Sequence, residues 1–481
     1  MARRDFWVRT VTLFLVEHGL VISAVLVSIY ARLAETDTMR EVLIESGGVI
    51  RVLITAIVCQ FIFYLFGLYH ISVARSRRDF YSSIVMALAT AMIAVGLIFM
   101  LIPAMNFTFD KESGIQLGGG GLGISFKPGI PTSAMLITLF LMIIWRLGIH
   151  WVLSHPALSD RILIVGTGAS AVDLAKEIMA RRDIGYRVVG FVSEDKSLIG
   201  KCLFNPKVIG GVDELNVIVE RERIDRVVVA LPERRGHLPV DQLLQLRLRG
   251  DAVIEEGTTM YERLTGKISV EMLRPSWIIF SGGSKRSRVA TGIRRLVNVT
   301  LAIVGFILSF PIWVVTAIAI RLESPGPILY KQERVGKNGR PFTIYKFRSM
   351  RQDAEKSGPV WAAKQDDRAT MVGSFIRKVR IDELPQFINV LRGEMAFVGP
   401  RPERPFFVDQ LSELIPFYSQ RHLVEPGLTG WAQVRYDYGA SVEDALQKLQ
   451  YDLYYIKNAS LMFDLWILLE SIKIILFGRG R

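Results

Sequence analysis

Five apolar runs, at roughly 10–30, 49–69, 81–103, 131–152 and 296–320, limit what this chain can fold into. Each is close to the ~20 residues that an α-helix needs to cross the hydrocarbon of a bilayer. The first starts directly behind Arg3 and Arg4, carries Glu17 and His18, and is followed by no small-residue cleavage site. It therefore reads as a retained span and not as a leader. Basic residues set the expected orientation. Arg3, Arg4 and Arg9 precede the first span, and Arg75, Arg77 and Arg78 follow the second. The intervening loop is net acidic, and the glycine-rich 104–130 loop has few charges. That alternation puts both ends of a four-span bundle in the cytoplasm.

The formal net charge of +13 calls for an anionic partner: nucleic acid, an acidic membrane surface or a phosphorylated substrate. Cys59 and Cys202 are too few and too far apart for a disulfide framework or a zinc site. After the fourth run, Arg161–Ile178 reads as a strand, a glycine turn and a helix start, with Gly166, Gly168 and Ala171 at the positions of a dinucleotide-binding turn. Strand-like 186–195 and 224–232 alternate with helical 212–222 and 239–249, which predicts a parallel α/β layer. Glu194 or Asp195 would be the ribose-binding acid if a dinucleotide bound; a scaffold that regulates or dimerises is the plainer reading.

The fifth run follows Lys285, Arg286, Arg288, Arg294 and Arg295, and Arg321 closes it. From Arg321 to the end, 24 basic residues outnumber 19 acids, which disfavours export of that part. Pro311, two residues after Ser309, removes a mid-helix hydrogen bond. A helix broken there, entering and leaving by one membrane face, satisfies both facts. The apolar C-terminal stretch carries Asp464, Glu470 and Lys473 and reads as an interfacial helix.

Beyond residue 323 glycines and prolines mark turns, and cations recur at short intervals. Lys331, Arg334, Lys346, Arg348, Arg377, Arg380, Arg401 and Arg404 could converge on phosphate. Asp382 and Glu383 stand side by side ahead of Pro385. By themselves they read more readily as a helix cap than as a catalytic pair, although a carboxylate at a helix N-terminus sits where an anionic phosphate is also welcome.

In order along 290–481, the helix with its central Pro, "SPGPILYKQERVG", "YKFRSM", "DELPQ", "INVL", "GEM", "VGPRP" and "PGLTGWAQV" resemble the bacterial polyprenyl-phosphate hexose-1-phosphate transferases, in their long form. One departure is Phe310, which separates Ser309 from Pro311 where a small residue usually precedes the Pro. The resemblance implies transfer of a sugar 1-phosphate from a UDP-sugar to polyprenyl phosphate, with release of UMP, as the first membrane step of exopolysaccharide or surface-glycan synthesis. It implies Asp382 as the nucleophile that forms an aspartyl phosphosugar, and Glu383 as its partner in placing Mg²⁺ or managing a proton. It also implies Arg401 as a holder of nucleotide-sugar phosphate, with Lys331, Arg334, Lys346, Arg348 and Arg380 beside it, and Asp452 as a further functional acid.

The expected fold is thus a membrane protein of three parts. Residues 1–154 form a four-helix transmembrane bundle and 155–281 a cytoplasmic Rossmann-like α/β domain. Residues 282–481 form an α/β catalytic domain with a re-entrant, Pro-broken helix at about 296–320. The expected site is the cytoplasmic face of a bacterial inner membrane, crossed several times. Membrane lipids and a second copy of the chain are expected partners, and nucleic acid is not. A membrane-bound nucleotide-sugar dehydratase or epimerase is the enzyme alternative, against which no Tyr has a Lys four residues later. A non-enzymatic scaffold of a polysaccharide export complex is the other.

Overall fold

The computed structural model describes residues 2–30, 48–66, 84–95, 107–110, 114–117, 136–138, 140–145, 148, 159–180, 185–202, 205–231, 239–270, 288–351, 368–436, 439 and 441–477. Two compact units divide the chain, Met1–Arg263 and Leu264–Arg481. The expected acidic loop, most of the 104–130 loop, the basic cluster Arg75–Arg78, and Lys285 and Arg286 lie outside the described residues.

In the first unit α1 (Ala2–Tyr30) and α2 (Gly48–Leu65) are followed by apolar helical stretches α3 (Ile84–Val95) and α4 (Leu136–Trp145). A short antiparallel hairpin, β1 (Phe107–Asp110) with β2 (Gly114–Leu117), falls within the glycine-rich loop. Ala56, Cys59, Phe63, Ala87, Ala91 and Met142 form a buried core among these helices. Small side chains there let helix backbones approach closely, as in packing within lipid. The outward faces are apolar too, with Val27, Ile57, Phe61, Ile93 and Phe140 exposed. A helix apolar all round suits a bilayer better than water.

The same unit holds a five-stranded parallel sheet, ordered β5-β4-β3-β6-β7. Its strands are β3 (Asp160–Val165), β4 (Tyr186–Ser193), β5 (Val208–Gly211), β6 (Arg226–Val229) and β7 (Val253–Glu256). Four helices accompany them: α5 (Ala169–Ala180), α6 (Leu215–Arg221), α7 (Val240–Arg249) and α8 (Gly257–Thr265), the last reaching into the second unit. Ile162 to Val165 are all fully buried, as expected for a parallel strand covered on both faces. The expected parallel α/β layer is therefore present. Gly166 has φ +122°, and a Cβ there would lie 2.7 Å from the Ala230 carbonyl oxygen. Asp195, a candidate ribose acid, accepts a hydrogen bond from the Ser197 amide at 2.8 Å and caps its own turn.

The second unit begins its described core with α9 (Arg288–Glu323), a 36-residue helix. Among the described residues it is the one helix long and apolar enough to cross a membrane by length and composition. Ala302, Ser309, Thr316 and Ile320 are its buried positions. The first three repeat every seven residues, so one narrow stripe faces the protein. Ile303, Ile307, Leu308, Phe310 and Val315 remain exposed.

The expected break at Pro311 is not there: α9 runs through it without interruption. A Pro removes one donor, and the neighbouring turns are held by side chains. Trp313 Nε1 donates to Ser309 Oγ at 3.2 Å, and Trp313 packs edge-on against Phe306 and Phe347.

Beyond α9, an antiparallel ribbon pairs β8 (Leu329–Val335) with β9 (Pro341–Phe347). Then come α10 (Met371–Lys378), a 3₁₀ turn at Ile381–Gln386 and α11 (Phe387–Arg392). Strand β10 (Ala396–Val398) pairs in parallel with β11 (Gly427–Thr429). The remaining helices are α12 (Pro405–Leu414), α13 (Trp431–Arg435), α14 (Val442–Asn458) and α15 (Leu461–Phe477).

The charges of α15 face inward and do not form its wet face, while Leu461, Met462, Leu465, Ile472 and Ile475 leave an exposed apolar face. Asp464 takes a forked pair of bonds from Arg294, one of them 2.9 Å, and Glu470 pairs with Lys473 at 3.7 Å. Phe463 and Ile467 are buried beside them. An apolar helix that buries its few charges in pairs reads from sequence as amphipathic, although it is docked.

Gly373 lets α10 lie directly on the Ser349 backbone: a Cβ there would sit 2.0 Å from the Ser349 carbonyl oxygen. Gly→Ala in a helix ordinarily gains ~1 kcal/mol. Gly373→Ala should instead lose roughly 1–3 kcal/mol through overpacking. Thermal unfolding in detergent checks this, with Ser374→Ala as the propensity control; a gain in both variants would contradict the packing.

Candidate active site

The Asp-Glu pair owes its position to a backbone reversal. Thr370 Oγ1 accepts from the Gly373 amide at 2.9 Å and starts α10, which ends by Lys378. Arg380 then adopts a left-handed conformation, φ 56°, and the 3₁₀ turn begins. Asp382 and Glu383 fall in its first turn and neither caps it; Pro385 lies within the turn and α11 follows. The cap reading is thereby corrected, although both acids do sit at the start of a helical segment. Both carboxylates are buried.

Three cations from separate stretches meet at Glu383. Its Oε1 accepts from Arg401 Nη2 at 3.1 Å and faces Lys346 Nζ at 3.4 Å, and its Oε2 faces Arg380 Nη1 at 3.5 Å. Desolvation of a carboxylate costs several kcal/mol. One cation at about 4 Å returns about 4 kcal/mol at an effective dielectric of 20. Three together therefore win: burial opposes ionisation, but Arg401, Lys346 and Arg380 hold Glu383 well below the usual carboxylate range.

Asp382 is placed differently. Its carboxylate accepts no hydrogen bond from a described residue. Burial, then the charge of Glu383, push it up to about 6 against the pull of Lys346, Arg401 and Arg377. Two adjacent acids are thus driven apart, one permanently charged and one titrating close to neutrality.

Of the remaining candidates the structure brings some to the pair and assigns others to its frame. Tyr330 lies opposite Lys346 in the ribbon and Lys331 opposite Tyr345. Side chains alternate along a strand, so Lys331 is on the other face, exposed, with its ammonium 5.9 Å from the Tyr345 ring centre. It does not join the site. Arg334 shares the Lys346 face but donates to the Pro402 carbonyl at 3.0 Å and to Gln332 Oε1 at 2.6 Å, holding the chain beside Arg401. Arg348 is buried and donates to Pro325 O, Ser324 O and Ser324 Oγ, tying β9 to the end of α9. It is not available to phosphate. Ser309 and Pro311 lie in α9 as described, and Gly166 and Gly168 in the first unit.

Asp452 does not reach the pair either. It is buried against Arg421 Nη2 at 2.9 Å, and the same nitrogen donates to the Arg401 carbonyl at 3.0 Å. Burial raises Asp452 to about 6 even against Arg421. Arg421 also donates to the Tyr418 hydroxyl at 2.6 Å. Asp452 therefore acts through Arg421 on the backbone of Arg401, two steps from the dyad. Sequence reasoning missed Arg421 and Asn389. Asn389 is fully buried: its Nδ2 donates to Thr343 O at 2.7 Å, and its Oδ1 accepts from the Tyr345 amide at 3.2 Å. It clips α11 to β9 next to Lys346. A polar residue inside apolar "INVL" was the available signal.

A family model described as bacterial sugar transferase matches residues 289–478, and one described as CoA-binding domain matches 134–246. A glucose-1-phosphate transferase of Xanthomonas campestris pv. campestris, named for UDP-glucose and undecaprenyl phosphate, is 30% identical over 372 residues, 76% of this chain and 75% of its own. The chain belongs to the bacterial sugar transferase family. A UDP-N-acetylgalactosamine-undecaprenyl-phosphate N-acetylgalactosaminephosphotransferase of Aeromonas hydrophila is 47% identical over 219 residues, 46% of this chain. The chain spans about half, 51%, of that relative's length. A putative undecaprenyl-phosphate N-acetylgalactosaminyl 1-phosphate transferase of Bacillus subtilis (strain 168) is 51% identical over 138 residues, 29% of this chain and 77% of its own. Lys346, Arg380, Asp382, Glu383, Arg401, Arg421 and Asp452 all fall within the bacterial sugar transferase match.

For a divalent ion, the described residues contain no cluster of three or more His, Cys, Asp or Glu. Two adjacent carboxylates, one accepting no hydrogen bond from a described residue, suit a Mg²⁺ that keeps waters and shares substrate phosphates; they do not make a preformed cage.

Breaking the buried pair tests the frame. Arg421→Met leaves Asp452 uncompensated and should cost about 3–5 kcal/mol, most of it recovered in Arg421→Met with Asp452→Leu. Denaturation in detergent reads this, and a single-variant loss below about 1 kcal/mol would show the pair to be dispensable.

Proposed function

We propose that this chain transfers a sugar 1-phosphate from a UDP-sugar to polyprenyl phosphate. The observation that carries the reading is the split between neighbouring acids: Glu383 locked by three cations, and Asp382 beside it accepting no hydrogen bond from a described residue. The relatives' names supply the substrates, a nucleotide sugar and undecaprenyl phosphate. They divide between glucose and N-acetylgalactosamine, so the donor is assigned here as a UDP-hexose.

In this reading an Asp382 oxygen attacks the sugar-linked phosphorus, and the bond to the other phosphate breaks, releasing UMP. The aspartyl phosphosugar is then attacked at phosphorus by an oxygen of polyprenyl phosphate, which restores the carboxylate and yields a polyprenyl diphosphate sugar. Splitting the transfer means that a soluble anion and a lipid anion need not meet at once. A carboxylate attacking phosphate meets like-charge repulsion, so Arg401, Lys346 and Arg380 provide the positive field, and most of the rate comes from placement and electrostatics. Glu383 orients those cations. Bound Mg²⁺, held by Asp382 and Glu383 together with substrate phosphate, would add Lewis-acid neutralisation.

The exposed apolar surface of α9 and the apolar helices of the first unit support a multi-pass protein of the bacterial inner membrane. In this reading the four helices span it, the catalytic unit works on the cytoplasmic face, and α9, which runs unbroken through Pro311, is the apolar segment by which that unit enters the membrane. Membrane lipids and a second copy of the chain complete the set of partners.

Asp382→Asn should abolish UMP release and lipid labelling across a panel that includes UDP-glucose and UDP-N-acetylgalactosamine. Transfer at the wild-type rate in that variant would refute the mechanism.

The pH dependence has a defined sign. Asp382 is raised to about 6, so below that value it is protonated and cannot attack. Thus kcat/KM for the UDP-sugar should climb through about pH 6 and then level. Glu383→Gln removes the charge that raises Asp382 and frees three cations to stabilise it. The acid limb should then move to lower pH, even at reduced rate; an unmoved limb would mean that another group titrates.

A further inference from the structure

Gln386 closes the 3₁₀ turn that carries the Asp-Glu pair, and the proposed mechanism does not use it. It is 3% exposed. It stands at the position that caps α11, yet its side chain makes no capping bond. Its amide makes no hydrogen bond to a described residue. Burying an amide without a partner is costly, and buried polar groups are nearly always paired.

The shape of the turn places this amide. Side chains three residues apart eclipse one another in a 3₁₀ helix. Ile381, Leu384 and Phe387 accordingly form one column, and they pack into the cores that seat α9. Glu383 and Gln386 form another, on the side that Lys346 and Arg401 reach. Gln386 therefore lies beside the dyad with its hydrogen bonds unspent.

Chemistry narrows what would satisfy it. Arg and Lys donate only and ionised carboxylates accept only, whereas an amide offers two N–H donors and a carbonyl oxygen. Phosphate oxygens accept only, so they suit the cations of the site and leave the amide oxygen without a donor. The sugar supplies one. When Asp382 attacks the sugar-linked phosphorus, the hexose donor nearest to that phosphorus is the substituent on C2. It is an O–H in glucose and an acetamido N–H in N-acetylgalactosamine, the two sugars for which the relatives are named. A carbonyl oxygen accepts from either.

We propose that Gln386 binds the hexose of the nucleotide sugar, its side-chain carbonyl accepting from the C2 hydroxyl or acetamido N–H. The proposal rests on the transferase reading above and adds a sugar-contacting residue to the dyad and its cations.

The test pairs UDP-glucose with UDP-2-deoxyglucose, and UDP-N-acetylgalactosamine with UDP-2-deoxygalactose. Each pair is run with wild type and with Gln386→Met, which keeps the length of the side chain and removes its polar atoms. For the pair that wild type accepts, kcat/KM should fall about tenfold or more when the C2 donor is lost. In Gln386→Met that ratio should shrink to within about twofold, because the group that reads C2 is gone. Thermal unfolding in detergent gives a second readout: with no partner to lose, the variant should melt at or above the wild-type temperature. Equal use of both members of a pair by wild type would overturn the proposal without any variant. An unchanged ratio in Gln386→Met would also overturn it. With the melting temperature held, that result would assign the amide to phosphate or nucleotide; with the temperature lowered, to the fold. No transfer by wild type from any UDP-sugar would overturn the transferase reading itself.

Discussion

A single buried carboxylate organises the catalytic unit. Glu383 is tolerable in the interior only because Lys346, Arg380 and Arg401 reach it, and these come from the ribbon, the reversal after α10 and the segment after β10. Holding three long cations within 3.5 Å of one carboxylate obliges the elements that carry them to meet. In the proposed mechanism the same burial is what makes Asp382 useful. It shares the low-dielectric surroundings without the same share of cations, so its charge is the one that remains costly and therefore reactive.

Behind this centre polar residues serve geometry. Arg421 joins Asp452 to the Arg401 backbone, Arg334 supports Pro402, Arg348 fastens the end of α9, and Asn389 pins α11 to β9. Each is spent on carbonyls or on an opposite charge, so that the cations left facing the dyad have few conformations open to them. Positioning of this kind is the larger part of catalysis where the protein itself does little bond chemistry.

How far the sequence could foretell this depended on what each signal encodes. The parallel sheet was legible because a strand covered on both faces must be continuously apolar, as 162–165 are. The Asp-Glu pair was legible from its neighbours in the chain. The eight cations were not separable, because sequence gives the sign of a charge and not its direction. Lys331 and Lys346 look alike until the ribbon register places Tyr330, and not Lys331, opposite Lys346. The α9 break failed for a related reason: Pro311 shows which hydrogen bond is missing, but not that Ser309 and Trp313 brace the same turns. In α15 the spacing of charges suggested a wet face, and only the partner Arg294, 170 residues away, shows that the face is dry.

The long helix and the dyad are one packing unit, which bears on how a lipid substrate can be used at all. Trp313 and Ile320 of α9 pack with Phe347, Ile376, Ile381 and Leu384, while Ala302 and Phe306 pack with Phe387 and Val390. The side chains on both sides of Asp382 and Glu383 are thus the ones that seat the helix. That seat fixes the depth of the carboxylates relative to the apolar face of α9 and, in the proposed mechanism, the depth at which a phosphate is attacked. An acceptor whose chain stays in hydrocarbon can present its head group at only a narrow range of heights. In the proposed reaction, matching that height by packing, and not by a mobile loop, lets the positive field around Glu383 stand ready before either substrate arrives.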